Sequence, residues 1–247
     1  MIEISDNVLD RLVDAKKVAV LTGAGISAES GIATFRGKDG IWTKLKPDEL
    51  ASMEAFLRNP ARVLEWYEHR RTIIEQVQPN PAHIILAEME KFYPDFSLST
   101  QNIDGLHKKA GSTIVYELHG SILRNRCNEC GRLIENIKLD ELPRCDCGGL
   151  VRPDVVWFGE MLPIDILDMS YAAAQEADVY FSIGTSAAVY PAAYLPIEAK
   201  NNGAFVIEIN LDTTTISNYV DVSYRGKAGE ILPELWNAVK NKINAIN

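Results

Sequence analysis

The run Val18-Ala19-Val20-Leu21-Thr22 passes without a break into Gly23-Ala24-Gly25-Ile26-Ser27-Ala28. A continuously apolar run of this kind suits a strand buried on both faces of a parallel sheet. A G-x-G-x-x-A turn directly behind it lets the backbone enter a helix while approaching a ligand closely, and the helix N-terminus then presents N–H groups to a pyrophosphate. The same residues also serve as an ordinary tight strand–helix turn. The acid that a conventional dinucleotide site carries about 20 residues further on is not evident. A loop-rich stretch, 29–37, stands in its place.

Further short apolar runs lie at 96–99, 179–183 and 205–209, with a weaker one at 222–224. Helical patterns cover 6–15, 60–76, 82–91, 163–177, 191–201 and 229–246. Strands alternating with helices predict an α/β fold, a mostly parallel sheet with helices on both faces. Two stretches break the alternation. Residues 35–80 read as loop plus helices, and the polar segment after Arg124 holds every cysteine. Both are expected to leave the parent sheet and build a smaller lobe, with a cleft between the lobes.

Charge narrows the function classes. The 247 residues carry 25 Lys+Arg against 34 Asp+Glu, a net charge of −9. An acidic chain is ill suited to nonspecific binding of a phosphate backbone, but it attracts basic proteins and peptides. Hydrophobic residues at 47% and charged residues at 24% exclude a disordered or collagen-like chain. The most apolar stretch, 177–199, is interrupted by Asp178, Gly184, Pro191 and Pro196, and no targeting segment is visible at 1–17. The expectation is a cytoplasmic protein with no membrane and no nucleic-acid partner.

The four cysteines, Cys127, Cys130, Cys145 and Cys147, run C-x2-C, then 14 residues, then C-x-C. Two disulfides would suit a secreted chain, but without a signal peptide a cluster points to metal. Four thiolates fill a tetrahedral zinc site and leave no place for water, so the site reads as structural. Gly131, Gly148 and Gly149 suit the tight turns of a zinc ribbon.

Polar residues follow three of these runs, 96–99, 179–183 and 205–209: Gln101, Asn102, Ile103 and Asp104; Gly184, Thr185 and Ser186; Asn210, Leu211 and Asp212. Singly these are ordinary turn chemistry. Together with the glycine turn they describe one cofactor crevice at the carboxyl ends of the strands. Of the four histidines, His119 follows the run 114–118 just before the cysteine segment, at the junction of the lobes. A histidine there could act as a general base, although its spacing alone does not select it.

In this order the motifs Gly23–Ser27, 31–37, 100–104, His119-Gly120, the four cysteines, Phe158-Gly159-Glu160 and Gly184-Thr185-Ser186 resemble the sirtuin family closely, over about residues 18–228. One departure is Ala33, where the family usually has proline. The resemblance implies an NAD-dependent protein-lysine deacylase. Its fold would be a Rossmann-like domain (1–34, 81–123 and 151–247) with a small lobe made of a helical insertion (35–80) and a zinc ribbon (124–150). NAD would be a co-substrate, and one Zn2+ structural.

The resemblance also assigns roles. Gly23, Ala24, Gly25, Ser27, Ala28 and Glu29 would line the phosphates and adenosine, and Phe35, Arg36 and Trp42 would belong to the loop over the nicotinamide ribose. Gln101, Asn102, Ile103 and Asp104 would hold the ribose and nicotinamide. Gly184, Thr185, Ser186, Asn210, Leu211, Asp212 and Ala228 would meet the adenosine half. The stretch 156–160, with Val156, Phe158, Gly159 and Glu160, would offer a strand edge to an acyl-lysine peptide. The acyl oxygen would attack the anomeric carbon, nicotinamide would leave, and His119 would deprotonate a ribose hydroxyl. The products would be lysine, nicotinamide and O-acyl-ADP-ribose. The enzyme would be a monomer. A hydride-transferring dehydrogenase, a mono-ADP-ribosyltransferase and a non-catalytic zinc adaptor are the competing readings.

Tyr67 and Arg70 stand three apart and so share a helix face. A phenol and a guanidinium there could hold a carboxylate. Alternatively, Arg70 pairs with Glu68 as an ordinary helical ion pair. The family's class III members carry this Tyr-x-x-Arg pair, with an alanine matching Ala51, and act on succinyl- or malonyl-lysine. The resemblance therefore implies an acidic-acyl pocket beside deacetylation.

Overall fold

A computed structural model describes residues 2–35, 40–41, 46–134 and 142–246. Arg36 and Trp42 lie outside the described residues. Six strands form one parallel sheet: β1 (Lys17–Thr22), β2 (Asp95–Thr100), β3 (Val115–Glu117), β7 (Val179–Ile183), β8 (Phe205–Asn210) and β9 (Val222–Arg225). Their order is β3-β2-β1-β7-β8-β9. The chain crosses from one side of β1 to the other, so the strand order reverses between β1 and β7, where such sheets open a crevice.

Period-2 alternation divides β1 between two cores. Val18 and Val20 face α1 (Asp6–Asp14), α6 (Pro81–Phe92) and α10 (Ala228–Ile246), packing with Leu12, Leu86 and Leu235. Ala19 and Leu21 face α8 (Ile164–Glu176) and α9 (Leu195–Asn201), packing with Ala174, Leu195 and Val206. Burial on both faces is why these strands read as continuous apolar runs.

The helix expected at 191–201 is split. A 3-10 turn covers Ala192–Tyr194, with Tyr194 N–H donating to Pro191 O at 3.0 Å, and α9 starts at Leu195. Pro196 has no N–H, so it cannot bond back to an earlier carbonyl and is tolerated in a first turn.

A second, antiparallel sheet has the order β5-β4-β6, with β4 at Gly120–Cys127, β5 at Leu133–Ile134 and β6 at Val151–Val155. It packs on α4 (Met53–Arg58) and α5 (Pro60–Gln76) around Phe56, Leu64, Tyr67, Ile122, Val155 and Trp157, a core separate from those of the large sheet. α5 is fastened by the buried Arg71, which donates to Ile122 O at 2.7 Å and Asn125 Oδ1 at 2.6 Å, and pairs with Glu68 at 2.7 Å. Among the described residues no helix is long and apolar enough to cross a membrane.

Candidate active site

The carboxyl ends of β1, β2, β7 and β8 open onto a cavity of about 630 Å³. Gly23, Ala24, Gly25 and Ala28 line it from the first turn, and Gln101, Asn102 and Ile103 from the loop after β2. Gly184, Thr185 and Ser186 line it after β7, and Asn210, Leu211 and Asp212 after β8. Phe35, Ala51, Tyr67, His119, Val156, Phe158, Gly159 and Glu160 complete this set. Ser27, Glu29, Arg70, Asp104 and Ala228 do not line the cavity.

The two glycine turns interlock. Gly25 N–H donates to Gly184 O at 2.8 Å, and Gly23 N–H to Ile183 O at 3.0 Å. Gly184 has φ +61°, and a Cβ placed on it would lie 2.3 Å from Ile26 N. Neither backbone can yield without opening the turn. Gly184→Ala is therefore expected to cost roughly 2–5 kcal/mol, combining left-handed strain with overpacking. Urea unfolding measures this, and a loss under about 1 kcal/mol would show that the turns separate freely.

Behind the cavity wall, polar side chains set the loops. Gln101 Nε2 donates to Thr185 Oγ1 at 2.8 Å, Asn210 Nδ2 to Thr185 O at 3.2 Å, and Asn102 Nδ2 to Gly23 O at 3.1 Å. Ser27 Oγ donates to Asp104 Oδ2 at 2.8 Å and accepts from Asn102 Nδ2 at 3.2 Å. His83 Nδ1 accepts the Asn80 N–H, so its Nε2 carries the proton toward Ser27 Oγ at 3.4 Å. Burial pushes the His83 pKa down to about 4 and that of Asp104 up, with the Leu106 N–H and Ser27 bonds partly offsetting the latter. Ser27 and Asp104 thus support the wall rather than form it. Glu29 reaches elsewhere: its carboxylate accepts the Gly229 N–H at 2.7 Å, at the N-terminus of α10 beside the buried Ala228.

His119 stands between β3 and β4. Its Nδ1 lies 2.9 Å from Gln101 O. A carbonyl can only accept, so Nδ1 carries the proton and Nε2 keeps its lone pair. Burial lowers the His119 pKa, and the Gln101 bond partly offsets this.

The segment after β6 is strung across the cavity floor. Val156 N–H donates to His119 O at 3.0 Å, Trp157 N–H to Glu160 Oε2 at 2.8 Å, and Phe158 N–H to Ala51 O at 2.9 Å. Trp157, inside the stretch 156–160 expected to meet a peptide, also lines the cavity; Thr34, Trp66 and Tyr190 line it without having been expected to. Trp66 adjoins Tyr67 in sequence, which is the signal that could have flagged it.

Tyr67 and Arg70 do share one face of α5. Arg70 is stacked between Phe35 and Trp66, its guanidinium 5.2 and 5.1 Å from their ring centroids. Its Nε is buried with no hydrogen-bond partner, and among the described residues no carboxylate forms a salt bridge with it. Glu68, the alternative partner, pairs with Arg71 instead. Burial lowers the Arg70 pKa, against the pull of Tyr67 and Asp104.

The four cysteine Sγ atoms lie within 4.8 Å of one another, with Cys127–Cys147 at 3.4 Å and Cys130–Cys145 at 3.8 Å. Sulfur atoms on a tetrahedral zinc ion stand about 3.8 Å apart, so the cluster fits one. Gly131 and Gly148, at φ +72° and +88°, make the turns, and the Glu129 N–H and the Arg132 guanidinium donate to Cys127 and Cys145 sulfur at 3.4 and 3.3 Å.

The Sir2 family profile matches residues 23–191. An NAD-dependent protein deacylase of Aquifex aeolicus is 53% identical over 229 residues, covering 91% of this chain and 96% of its own. A solved Sir2 homologue–NAD complex superposes with a TM-score of 0.91 at 46% identity, covering 97% of this chain and 95% of its own. A Sir2–p53 peptide–NAD+ complex superposes at 0.86 with 30% identity, covering 97% of this chain and all of its own, 100%. On the profile match and the near full-length identity together, the chain belongs to the Sir2 family.

Proposed function

We propose that this chain is an NAD-dependent protein-lysine deacylase that removes acetyl groups and also the acidic succinyl and malonyl groups. One observation carries the acidic part. Arg70 is a half-buried side chain whose Nε is buried with no hydrogen-bond partner and which has no carboxylate partner among the described residues; its guanidinium is stacked on two side chains of the cavity into which Tyr67 faces. A partly desolvated cation with a buried, unpartnered N–H is costly, and a substrate carboxylate would supply the missing partner. Ala51, small and buried, leaves room for a longer acyl chain.

The cavity suits a dinucleotide. Glycine backbones at 23, 25 and 184 keep the wall free of side chains where phosphates would pass, at the strand ends where such ligands sit. When bound, NAD+ supplies the electrophilic anomeric carbon and the ribose hydroxyls that accept the acyl group. The chain's own residues do the rest. Gln101, Asn102 and Ile103 form the nicotinamide-ribose end, and Ser27 and Asp104 hold that loop in place. Ser186, Asn210, Leu211 and Asp212 form the adenosine end. His119 Nε2 takes a ribose hydroxyl proton, and Gln101 O fixes the tautomer. Val156, Phe158, Gly159 and Glu160 receive the peptide, while the helical insertion and ribbon form the small lobe over it.

The test compares acetyl- and succinyl-lysine peptides with NAD, reading products by mass spectrometry. Arg70→Met is expected to lower succinyl kcat/KM by about 10–100-fold, the loss of a charged hydrogen bond, with acetyl turnover changed by less than about twofold. An equal fall for both peptides, or none, would sink the acidic pocket. ADP-ribose left on a protein target, with no acylated ADP-ribose released, would make the chain a mono-ADP-ribosyltransferase instead.

A further inference from the structure

The Trp157 indole Nε1 donates to the Tyr67 phenol oxygen at 2.8 Å, and both side chains are 2% exposed. An indole nitrogen can only donate, so the direction of this bond is unambiguous. The indole is itself clamped. The Arg152 guanidinium lies 4.0 Å from its ring centroid, Phe56 packs at 5.2 Å, and Arg152 in turn pairs with Glu160, whose carboxylate also accepts the Trp157 N–H at 2.8 Å. Tyr67 Oη therefore always has one acceptor position filled from the protein side. A phenol carries one proton and accepts through the remainder, so filling one side leaves the proton to be donated on the other.

We propose that Trp157 is a specificity-determining positioning residue: its indole N–H turns the Tyr67 hydroxyl proton toward a carboxylate at the acyl end of the cavity. The proposal rests on the acidic-acyl reading above. Burial raises the Tyr67 pKa, which keeps that proton in place for donation at neutral pH. The arrangement also links the segment Trp157–Glu160, which would meet the peptide, to the residue that would read the acyl terminus.

Trp157→Phe keeps an aromatic ring against Phe56 and Arg152 and removes the donor. The readout is the ratio of succinyl to acetyl kcat/KM within one preparation, which cancels any loss of folded protein from the smaller ring. The ratio is expected to fall about five- to tenfold, the worth of one hydrogen bond, chiefly through a higher succinyl KM. Tyr67→Phe is expected to give a fall at least as large, and the double variant no more than Tyr67→Phe alone. An unchanged ratio in Trp157→Phe, or losses that multiply in the double variant, would overturn the proposal while a Tyr67→Phe effect keeps the acidic pocket. No succinyl turnover by the wild-type chain, or no change of ratio in Tyr67→Phe, would overturn both.

Discussion

His119→Ala is expected to lower NAD-dependent deacylation by about 10²–10⁴-fold, the usual contribution of a positioned general base, without unfolding the chain. The geometry explains both parts. The ring donates from Nδ1 to Gln101 O at 2.9 Å, and that carbonyl is fixed because the Gln101 N–H itself bonds to Thr22 O at 2.9 Å. The imidazole is thus oriented from the end of β1 and keeps its Nε2 lone pair. Truncation to alanine removes the imidazole but leaves the backbone bond from Val156 N–H to His119 O, so the floor of the cavity keeps its support. The pH profile gives a second readout. Burial sets the His119 pKa below the ordinary 6.5, so the imidazole is neutral and competent at pH 7. Activity is therefore expected to hold through neutrality and to fall, as the ring protonates, only below pH 6.5. That acid limb should disappear in the variant, while ADP-ribose binding measured by calorimetry persists. Residual activity within about tenfold of wild type, or an unshifted acid limb in the variant, would remove His119 from the role of base.

The parts of this molecule that were legible in the sequence are those where one physical demand dominates. β1, β2, β7 and β8 are buried on both faces, so each announces itself as an apolar run, and the turns behind them fall at the strand ends where the cavity opens. β4 was not legible, because its pairing slips between Ser121 and Asn125 and the slip breaks any period-2 alternation. Arg124 and Arg126 look like surface charges in the sequence, yet they pair across the sheet with Asp154 and Glu160. Trp157 was hidden by the same alternation that exposed its neighbours: Phe158 is exposed at the cavity, while Trp157 turns inward to Tyr67. Glu208 is another such case. It is a lone acid in the apolar run of β8, almost wholly buried, and accepts from Ser217 and Ser223 at 2.7 Å and from Arg225 at 2.8 Å. Its role is to fasten the loop after β8, whose Leu211–Thr214 end lines the cavity. Thr214 also donates to Glu208, so its partners lie six to 17 residues away in sequence, and no local pattern links them.

Removing the metal from the cysteine cluster is expected to unfold one part of the chain and spare the other. The four sulfur atoms crowd within 4.8 Å, close to one another but with no cation of the protein's own at the centre; Arg132 alone among the described cations touches them, at 3.3 Å. Four thiolates at that spacing repel, and structural zinc in small domains supplies about 10–16 kcal/mol of apparent folding free energy, comparable with the whole stability of a typical domain. The consequence is regional because the cores are separate. Cys127 and Cys145 belong to the core that holds Phe56, Tyr67, Trp157 and Ile122, whereas the two cores flanking the large sheet contain no cysteine. Elemental analysis is expected to find one zinc per chain. Stripping it with a strong chelator, or replacing Cys130 with serine, should abolish amide-exchange protection in β4 and β6 while β1, β2, β7 and β8 stay protected. Because Tyr67 and Trp157 sit in the core that loosens, the acyl end of the cavity should be lost with it, and the glycine turns should still bind ADP-ribose. Full protection of β4 and β6 in zinc-free protein would show instead that α4 and α5 hold the second sheet without the metal.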